Sequence, residues 1–250
     1  QHHEQDHRHD RHRVINSVAG RCGNKIVDAL PLRQRGRLLE QCETVQMQFG
    51  ELLTEKAMRV RHVYFPLTGF ASLVISLNER PPLELNMIGS EGMLGAEWVL
   101  GARTTPYTSL VQGSGTALRL SVTEFDRQLG SDAALRCICN RYFYVLVEQL
   151  TQSIACNCFH GVPQRLARWL LMTHDRADGK TLELTHAVLA TMLGVRRSAV
   201  TIAAGNLQHQ QLISYSRGLI RVLSRGGLEE ASCECYAASI KSYESGLGAD

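Results

Sequence analysis

No run of about eighteen apolar residues occurs in the 250-residue chain, so no segment is long and apolar enough to cross a membrane as a helix. Nothing at the start resembles a signal peptide. The short signatures of common catalysts are missing too: no P-loop, no nucleophile elbow, no His-Glu-x-x-His pair. Between residues 24 and 130 the only histidine is His62, so a metal-dependent reaction in that region lacks its usual ligands. An enzyme is therefore not expected, nor is a cofactor or a bound metal. A large net charge is also lacking, since 27 Lys and Arg against 24 Asp and Glu leave only +3. Eight cysteines without a secretory signal read as reduced thiols, which places the chain in the cytoplasm.

The charge that is present is unevenly distributed. Residues 160–227 hold nine Lys and Arg but three Asp and Glu, an excess larger than that of the whole chain. Such local asymmetry suits a nucleic-acid-binding module. Within this segment Val188, Leu189, Met192 and Leu193 have the spacing of one buried helix face. Gly194 follows, which accepts positive φ at no steric cost. A second helical pattern then runs through Val195, Ala199, Val200, Ala203 and Leu207. Helix, glycine turn and helix make a helix-turn-helix whose second helix lies in the DNA major groove. Arg196 and Arg197 open that helix, and Ser198 and Thr201 follow on its outward side. Arg suits bidentate contact with guanine, and Ser or Thr bonds to bases or phosphate. A plain helical hairpin with a solvated basic patch would satisfy the same residues. The residues just downstream favour the first reading. Leu212 to Leu223 alternates apolar and polar residues around Ser216-Arg217-Gly218, the pattern of a β-hairpin, and so adds a wing. Arg217, Arg221 and Arg225 on or beside this wing are expected to touch the sugar-phosphate backbone, with Arg165 and Arg168 nearby.

Upstream, residues 1–23 form a polar tail that cannot bury a core, with five histidines in residues 1–13. Residues 24–42 read as short helices interrupted at Pro31. From Glu43 to Leu120, short apolar or alternating runs separated by Gly and Pro suggest an antiparallel β-roll of jelly-roll type, closed by a helix from Val122. Asp132 to Phe159 is a long helix without internal Gly or Pro. One stripe on it passes through Leu135, Ile138, Tyr142, Val145, Gln149, Gln152 and Cys156; another through Cys139, Phe143, Leu146 and Leu150. One stripe is expected to pack on the roll and the other on its twin in a second subunit, the alternative being a monomer whose helix is buried on two sides. Gly161-Val-Pro163 breaks the backbone into a hinge. The fold class is thus α+β, with a roll domain at 24–130, a dimerisation helix and hinge at 131–160, a winged helix-turn-helix at 161–227 and a partly frayed helical tail at 228–250.

These residues in this order resemble the cyclic-AMP receptor protein / fumarate-nitrate regulator (CRP/FNR) family of bacterial transcription factors. The resemblance rests on Asn157-x-x-His160 with Arg165-Leu-Ala-Arg-Trp-Leu-Leu171, on Leu189-Ala-x-x-Leu-Gly-Val-Arg-Arg-Ser-x-Val200, and on Val63-Tyr-Phe-Pro66, Gly69, Ser72-Leu73 and Ile88-Gly-x-Glu-Gly-Met-Leu-Gly95 in the roll. It implies a cyclic-nucleotide-binding-like roll, a homodimer, double-stranded DNA as partner and, as a further partner, RNA polymerase. Family members that bind cyclic AMP use a Glu for the ribose and an Arg followed by Ser or Thr for the phosphate. Aligned through Gly95 and Val111, the Glu position falls on Ala96 and the Arg on Tyr107, followed by Thr108. Glu97 would have to shift into the ribose role. No basic side chain stands in residues 107–112, and an unpaired phosphate in a desolvated pocket costs several kcal/mol. Cyclic AMP is therefore not expected to bind in the usual way. The roll is left to an unidentified effector, a partner contact or a scaffold role. In the second helix, the family's Arg-Glu-x-x-x-Arg pattern aligns with Arg197, Ser198 and Ile202, so only the first Arg remains and the target sequence should differ.

Six cysteines form three Cys-x-Cys pairs, 137/139, 156/158 and 233/235. On a helix, positions i and i+2 point apart, so the first two pairs read as structural thiols. Cys233 and Cys235, in what reads as an exposed tail, carry the alternative of a redox- or metal-responsive regulator. With only Cys22 and Cys42, the N-terminal part is too poor for a four-cysteine cluster.

Overall fold

A computed structural model describes residues 20–78, 81–177 and 182–247; the expected polar tail up to residue 19 lies outside them. Two short helices come first, α1 (Lys25–Asp28) and α2 (Leu32–Gln41), separated at Pro31 as the sequence suggests. Asn24 anchors this start. Its Oδ1 accepts from the Ile26 and Val27 amides at 3.1 and 3.2 Å, and its Nδ2 donates to the Pro66 and Gly92 carbonyls, both at 2.9 Å. One wholly buried amide thereby caps a helix and ties it to the end of β3 and to the loop after β5.

The roll consists of β1 (Glu43–Met47), β2 (Leu52–Thr54), β3 (His62–Pro66), β4 (Phe70–Ile75), β5 (Leu83–Ile88), a 3₁₀ turn (Ala96–Leu100), β6 (Thr108–Gly113) and β7 (Gly115–Ser121). They form two antiparallel sheets, ordered β1-β7-β3 and β2-β6-β4-β5. The first sheet faces the roll interior. The second is covered on both sides: in β4, Ala71 and Leu73 enter the roll core, whereas Phe70 and Val74 belong to the core of the C-terminal part. A strand buried on both faces cannot alternate, which is why residues 70–77 read as an almost unbroken apolar run.

Ser121 caps α3 (Val122–Ser131) by accepting from Glu124 N, and Asp132 caps the 27-residue α4 (Ala133–Phe159) by accepting from the amides of Ala134 and Leu135. Both apolar stripes expected on α4 lie inside the protomer. Leu135, Ile138, Tyr142 and Val145 are buried in the roll core, and so are Cys139 and Leu146, with Phe143 and Leu150 packed against it. Phe143, Leu150 and Gln152 keep partial exposure. A third face stays exposed, formed by Cys137, Asn140, Tyr144, Val147, Thr151, Ile154 and Cys158 at alternating spacings of three and four.

Beyond the hinge come α5 (Val162–Arg176), β8 (Leu182–Glu183), α6 (His186–Leu193), α7 (Arg197–His209), β9 (Ile213–Ser216), β10 (Leu219–Val222), α8 (Arg225–Ala231) and α9 (Cys235–Leu247). The C-terminal helix is docked, not frayed. Gln149 Nε2 donates to Ser239 O at 2.8 Å, Ser242 Oγ to Glu148 at 2.6 Å and Arg141 Nε to Gly246 O at 2.9 Å. Tyr243 and Leu247 of α9 complete the roll core, covering part of α4 that the sequence leaves open.

Replacing Asn24 by Ala removes four hydrogen bonds at a site closed to water, and should cost on the order of 3 kcal/mol. Denaturant unfolding of the full chain checks this; a loss under about 0.5 kcal/mol would mean the roll closes without that amide.

Candidate nucleic-acid interface

Thr185 starts α6 by accepting from Val188 N at 3.2 Å. The helix ends at Gly194, whose φ of +64° lets Val195 N turn back onto Ala190 O at 3.0 Å. The next helix, α7, leaves at 110° to α6, within the range of a helix-turn-helix. Leu189, Ala190, Met192 and Leu193 bury against Val200, Ala203, Ala204 and Leu207. That packing fixes which side of α7 faces out. Arg197, Ser198, Thr201, Ile202, Gly205 and Asn206 are exposed, and Arg196 stands at the N-cap, also exposed. Ile202 and Asn206 extend this outward row beyond the residues singled out from sequence.

Behind α7, β10 pairs antiparallel with both β8 and β9. Ser216 pairs with Leu219, leaving Arg217 and Gly218 as the two turn residues, with φ of +51° and +82°. Two positive φ values in a two-residue hairpin define a type I′ turn, and they set Arg217 at the exposed tip of the wing. Arg221 is exposed on β10. Among the described residues, Arg196, Arg197, Arg217 and Arg221 take part in no ion pair.

Other assignments from sequence are corrected by their contacts. Arg225 pairs with Asp175 at 2.7 Å and Glu229 at 2.9 Å, so its charge is already matched. Arg168 is buried and donates to Ser239 Oγ at 3.3 Å, and Arg165 donates to Leu193 O, closing the end of α6. Arg168 is thereby withdrawn from the surface, and Arg165 is tied to the end of α6. Thr201 is exposed, yet its hydroxyl donates to Arg197 O and lies 3.0 Å from His186 Nδ1. The His186 ring stacks on Tyr215 at 4.3 Å, joining α6 to the wing. Burial lowers the pKa of His186, and the Arg197 guanidinium lowers it further. No sequence signal singled out either ring, because their partners are set by the wing's position.

In the roll, Gly95 precedes the 3₁₀ turn that carries Glu97. Tyr107 Oη donates to Glu97 Oε2 at 2.7 Å, both side chains being buried. Burial and the facing carboxylate push the Tyr107 phenol far above its ordinary value, so it stays a donor. Thr108 Oγ1 accepts from Lys56 N at 3.1 Å. The Tyr107 hydroxyl and Glu97 Oε2 thus satisfy each other, whereas Glu97 Oε1 is buried without a partner among the described residues.

The thiols fall out differently from the sequence reading. Cys137 and Cys158 are exposed, whereas Cys139 and Cys156 are buried. Cys233 and Cys235, expected on an exposed tail, are buried as well and lie beside Cys156.

The winged segment packs directly on the roll. Trp169 Nε1 donates to Glu84 Oε1 at 2.8 Å, Ser72 Oγ donates to Glu84 Oε2 at 2.5 Å, and Arg176 pairs with Glu91 at 2.6 Å. Desolvation raises the Glu84 pKa to about 7, against the lowering effect of its Ser72 and Trp169 donors and of Arg176 and Arg168.

Residues 164–231 match the model of the Crp-like helix-turn-helix domain. No curated protein matches the chain. Solved structures similar to it include FixK2 from Bradyrhizobium japonicum, at 13% identity and a TM-score of 0.65 over 77% of this chain and 98% of that one. TTHA1359 from Thermus thermophilus, a transcriptional regulator of the CRP/FNR family, is 21% identical with a TM-score of 0.60 over 76% and 98%. The c-di-GMP-responsive global regulator CLP from Xanthomonas campestris is 15% identical with a TM-score of 0.62 over 77% and 99%. At such identities the likeness is one of fold.

The raised pKa of Glu84 implies a pH-dependent contribution to stability. Its folded-state pKa of about 7 lies above the ordinary 4.5, so the folded chain holds this proton after the unfolded chain has lost it. Stability from this group is complete below about pH 4.5 and falls as pH rises toward 7. Thermal unfolding between pH 5 and 8 should show a decline that Glu84→Gln flattens; an unchanged slope in the variant would remove Glu84 from that role.

Proposed function

We infer, from a Crp-like helix-turn-helix domain at residues 164–231 in a chain with the fold of the CRP/FNR regulators, that this protein is a sequence-specific DNA-binding transcriptional regulator acting as a homodimer. The observation that carries the reading is four exposed guanidinium groups that pair with no carboxylate among the described residues: Arg196 and Arg197 at the start of α7, Arg217 and Arg221 on the wing. Arg197 and Ser198 read base edges in the major groove, Arg196 and Thr201 support them, and Arg217 and Arg221 hold phosphates. Ile202 adds an apolar surface suited to a thymine methyl.

The dimer forms through the third face of α4. Tyr144, Val147 and Ile154 are exposed at heptad spacing, with Ile154 at 66%. An apolar seam of this kind on a long helix is the geometry of a two-stranded coiled coil. Pairing two copies along it presents two α7 helices to half-sites about 34 Å apart. The roll acts without the usual cyclic-AMP chemistry. Tyr107 holds Glu97, and residues 107–112 offer no cation to a phosphate. The division into a roll at 24–130, a dimerisation helix with hinge to 160 and a DNA-binding unit at 161–227 follows from these roles.

Binding to a duplex selected from a random library, followed over a range of salt, separates readers from anchors. Arg197→Ala should lose about 1–3 kcal/mol of preference between the selected site and its variants. Arg217→Asn keeps a residue that tolerates positive φ, removes the charge, and should weaken all duplexes alike while lowering the salt slope by about one. An identical uniform loss in both variants would overturn the assignment.

Sedimentation tests the seam. Val147→Glu with Ile154→Glu places like charges across the proposed pair and should give a folded monomer with much weaker DNA binding. A dimer that survives both changes would place the interface elsewhere.

A further inference from the structure

Four side chains that could each bind a metal meet at the hinge, far apart in sequence. Cys156 and His160 stand one helical turn apart at the end of α4, so they project from the same side. Cys233 lies in the turn before α9, and Cys235 is the first residue of that helix. The ligating atoms of all four lie within 4.8 Å of one another, with the three thiols buried and the imidazole half-buried. Cys156 Sγ and Cys233 Sγ are 3.6 Å apart, and Cys235 Sγ is 3.5 Å from His160 Nδ1. Around a tetrahedral zinc with ordinary bond lengths, sulfur–sulfur edges are about 3.8 Å and sulfur–nitrogen edges about 3.5 Å. These two edges lie within about 0.2 Å of those lengths.

The surroundings suit such a centre. His160 turns Nδ1 toward the thiols, and its Nε2 lies 3.2 Å from Glu234 Oε2, the carboxylate–histidine arrangement that orients a metal-bound imidazole. Gln152 Nε2 donates to Cys235 Sγ at 2.9 Å. Three thiolates and a neutral imidazole around a divalent ion leave one negative charge. The buried Arg168 guanidinium lines the same small cavity as Cys156, and its Nε has no hydrogen-bond partner within the protein. A disulfide between Cys156 and Cys233 would leave the third thiol and the imidazole without a role. A multi-iron cluster spreads its ligands over several metal atoms, whereas these four converge on one point.

We propose that Cys156, His160, Cys233 and Cys235 form a closed, structural zinc site that staples the hinge after α4 to the start of α9. Soft thiolates with one imidazole select zinc, and a four-ligand set leaves no open position for catalysis. The metal departs from the expectation that the chain holds none. It also answers the objection that Cys-x-Cys pairs diverge on a helix. Cys158 does diverge and is exposed, while Cys235 reaches the site from the first turn of α9, with Cys233 in the preceding loop.

The test is metal content and a cobalt spectrum on the full chain. The five histidines in residues 1–13 would also take up zinc, so the protein is first dialysed against a weak chelator that strips imidazole-only sites. About one zinc per chain should remain, be lost in Cys235→Ser, and persist in Cys158→Ser. Cobalt in place of zinc should give thiolate charge-transfer and tetrahedral d–d bands, which a histidine tract does not produce. Should Cys235→Ser fail to fold, the wild-type cobalt spectrum decides. Glu234 is exposed, so Glu234→Gln should fold normally yet weaken zinc affinity about 10–100-fold. Zinc absent after dialysis, iron with acid-labile sulfide in its place, or a Cys156–Cys233 disulfide in freshly purified protein would each overturn the proposal.

Discussion

The whole arrangement depends on how α4 is consumed. Its length and lack of Gly or Pro make it a rigid rod, and most of its two broad apolar stripes is buried within the protomer. The roll takes Leu135, Ile138, Tyr142 and Val145, while α9 lies along the helix through Gln149 and Arg141. Burying these side chains is worth roughly 25 cal/mol per Å² of apolar surface, so the rod cannot rotate on the roll without exposing its core. Only one narrow seam is left, and the hinge emerges at a fixed place and direction. Everything downstream is aimed from that point.

The aim is reinforced where α5 meets the roll. Phe70, Val74 and Met87 contribute to the same apolar cluster as Leu166, Trp169 and Leu170, so the β2-β6-β4-β5 sheet is a wall shared by two cores. Polar contacts at its margin are selective rather than strong. Arg176 and Glu91 form a nearly buried ion pair, a kind whose removal on one side is costly although the pair itself adds little net stability. Glu84 differs, because its acceptor contacts from Ser72 and Trp169 do not offset its desolvation. A carboxyl group balanced in this way costs more to bury once ionised, so this margin of the shared wall is less stabilising as pH rises toward 7.

The local devices were legible in the sequence. Gly194 ends α6 because the turn needs positive φ, and the apolar spacing around it orients α7 without reference to the rest of the fold. Ser216-Arg217-Gly218 announces the wing for the same reason. Strand runs in the roll were visible wherever they exceeded about four residues, whereas β2, at three residues, carries too little pattern to detect. What the sequence could not supply was partners at long range. Periodicity identifies Cys139 and Leu146 as buried, but not whether a sister subunit or the chain's own core covers them. The polar tail run Ser232-Cys-Glu-Cys-Tyr236 looks exposed because its cover, Cys156 and His160, lies more than seventy residues upstream.

Charge shows the same limit most clearly. The basic excess of residues 160–227 is a property of composition, and composition treats every arginine alike. The fold divides them. Arg165 closes a helix end, Arg168 is drawn inside beside Cys156, Arg176 answers Glu91, and Arg225 answers Asp175 and Glu229. Arg196, Arg197, Arg217 and Arg221 are left in water without a counter-ion among the described residues. A guanidinium already matched to a carboxylate gains little by approaching phosphate, since it must first give up that partner. What composition shows as a diffuse basic excess is thus, in the fold, unpaired charge at the start of α7 and on the wing.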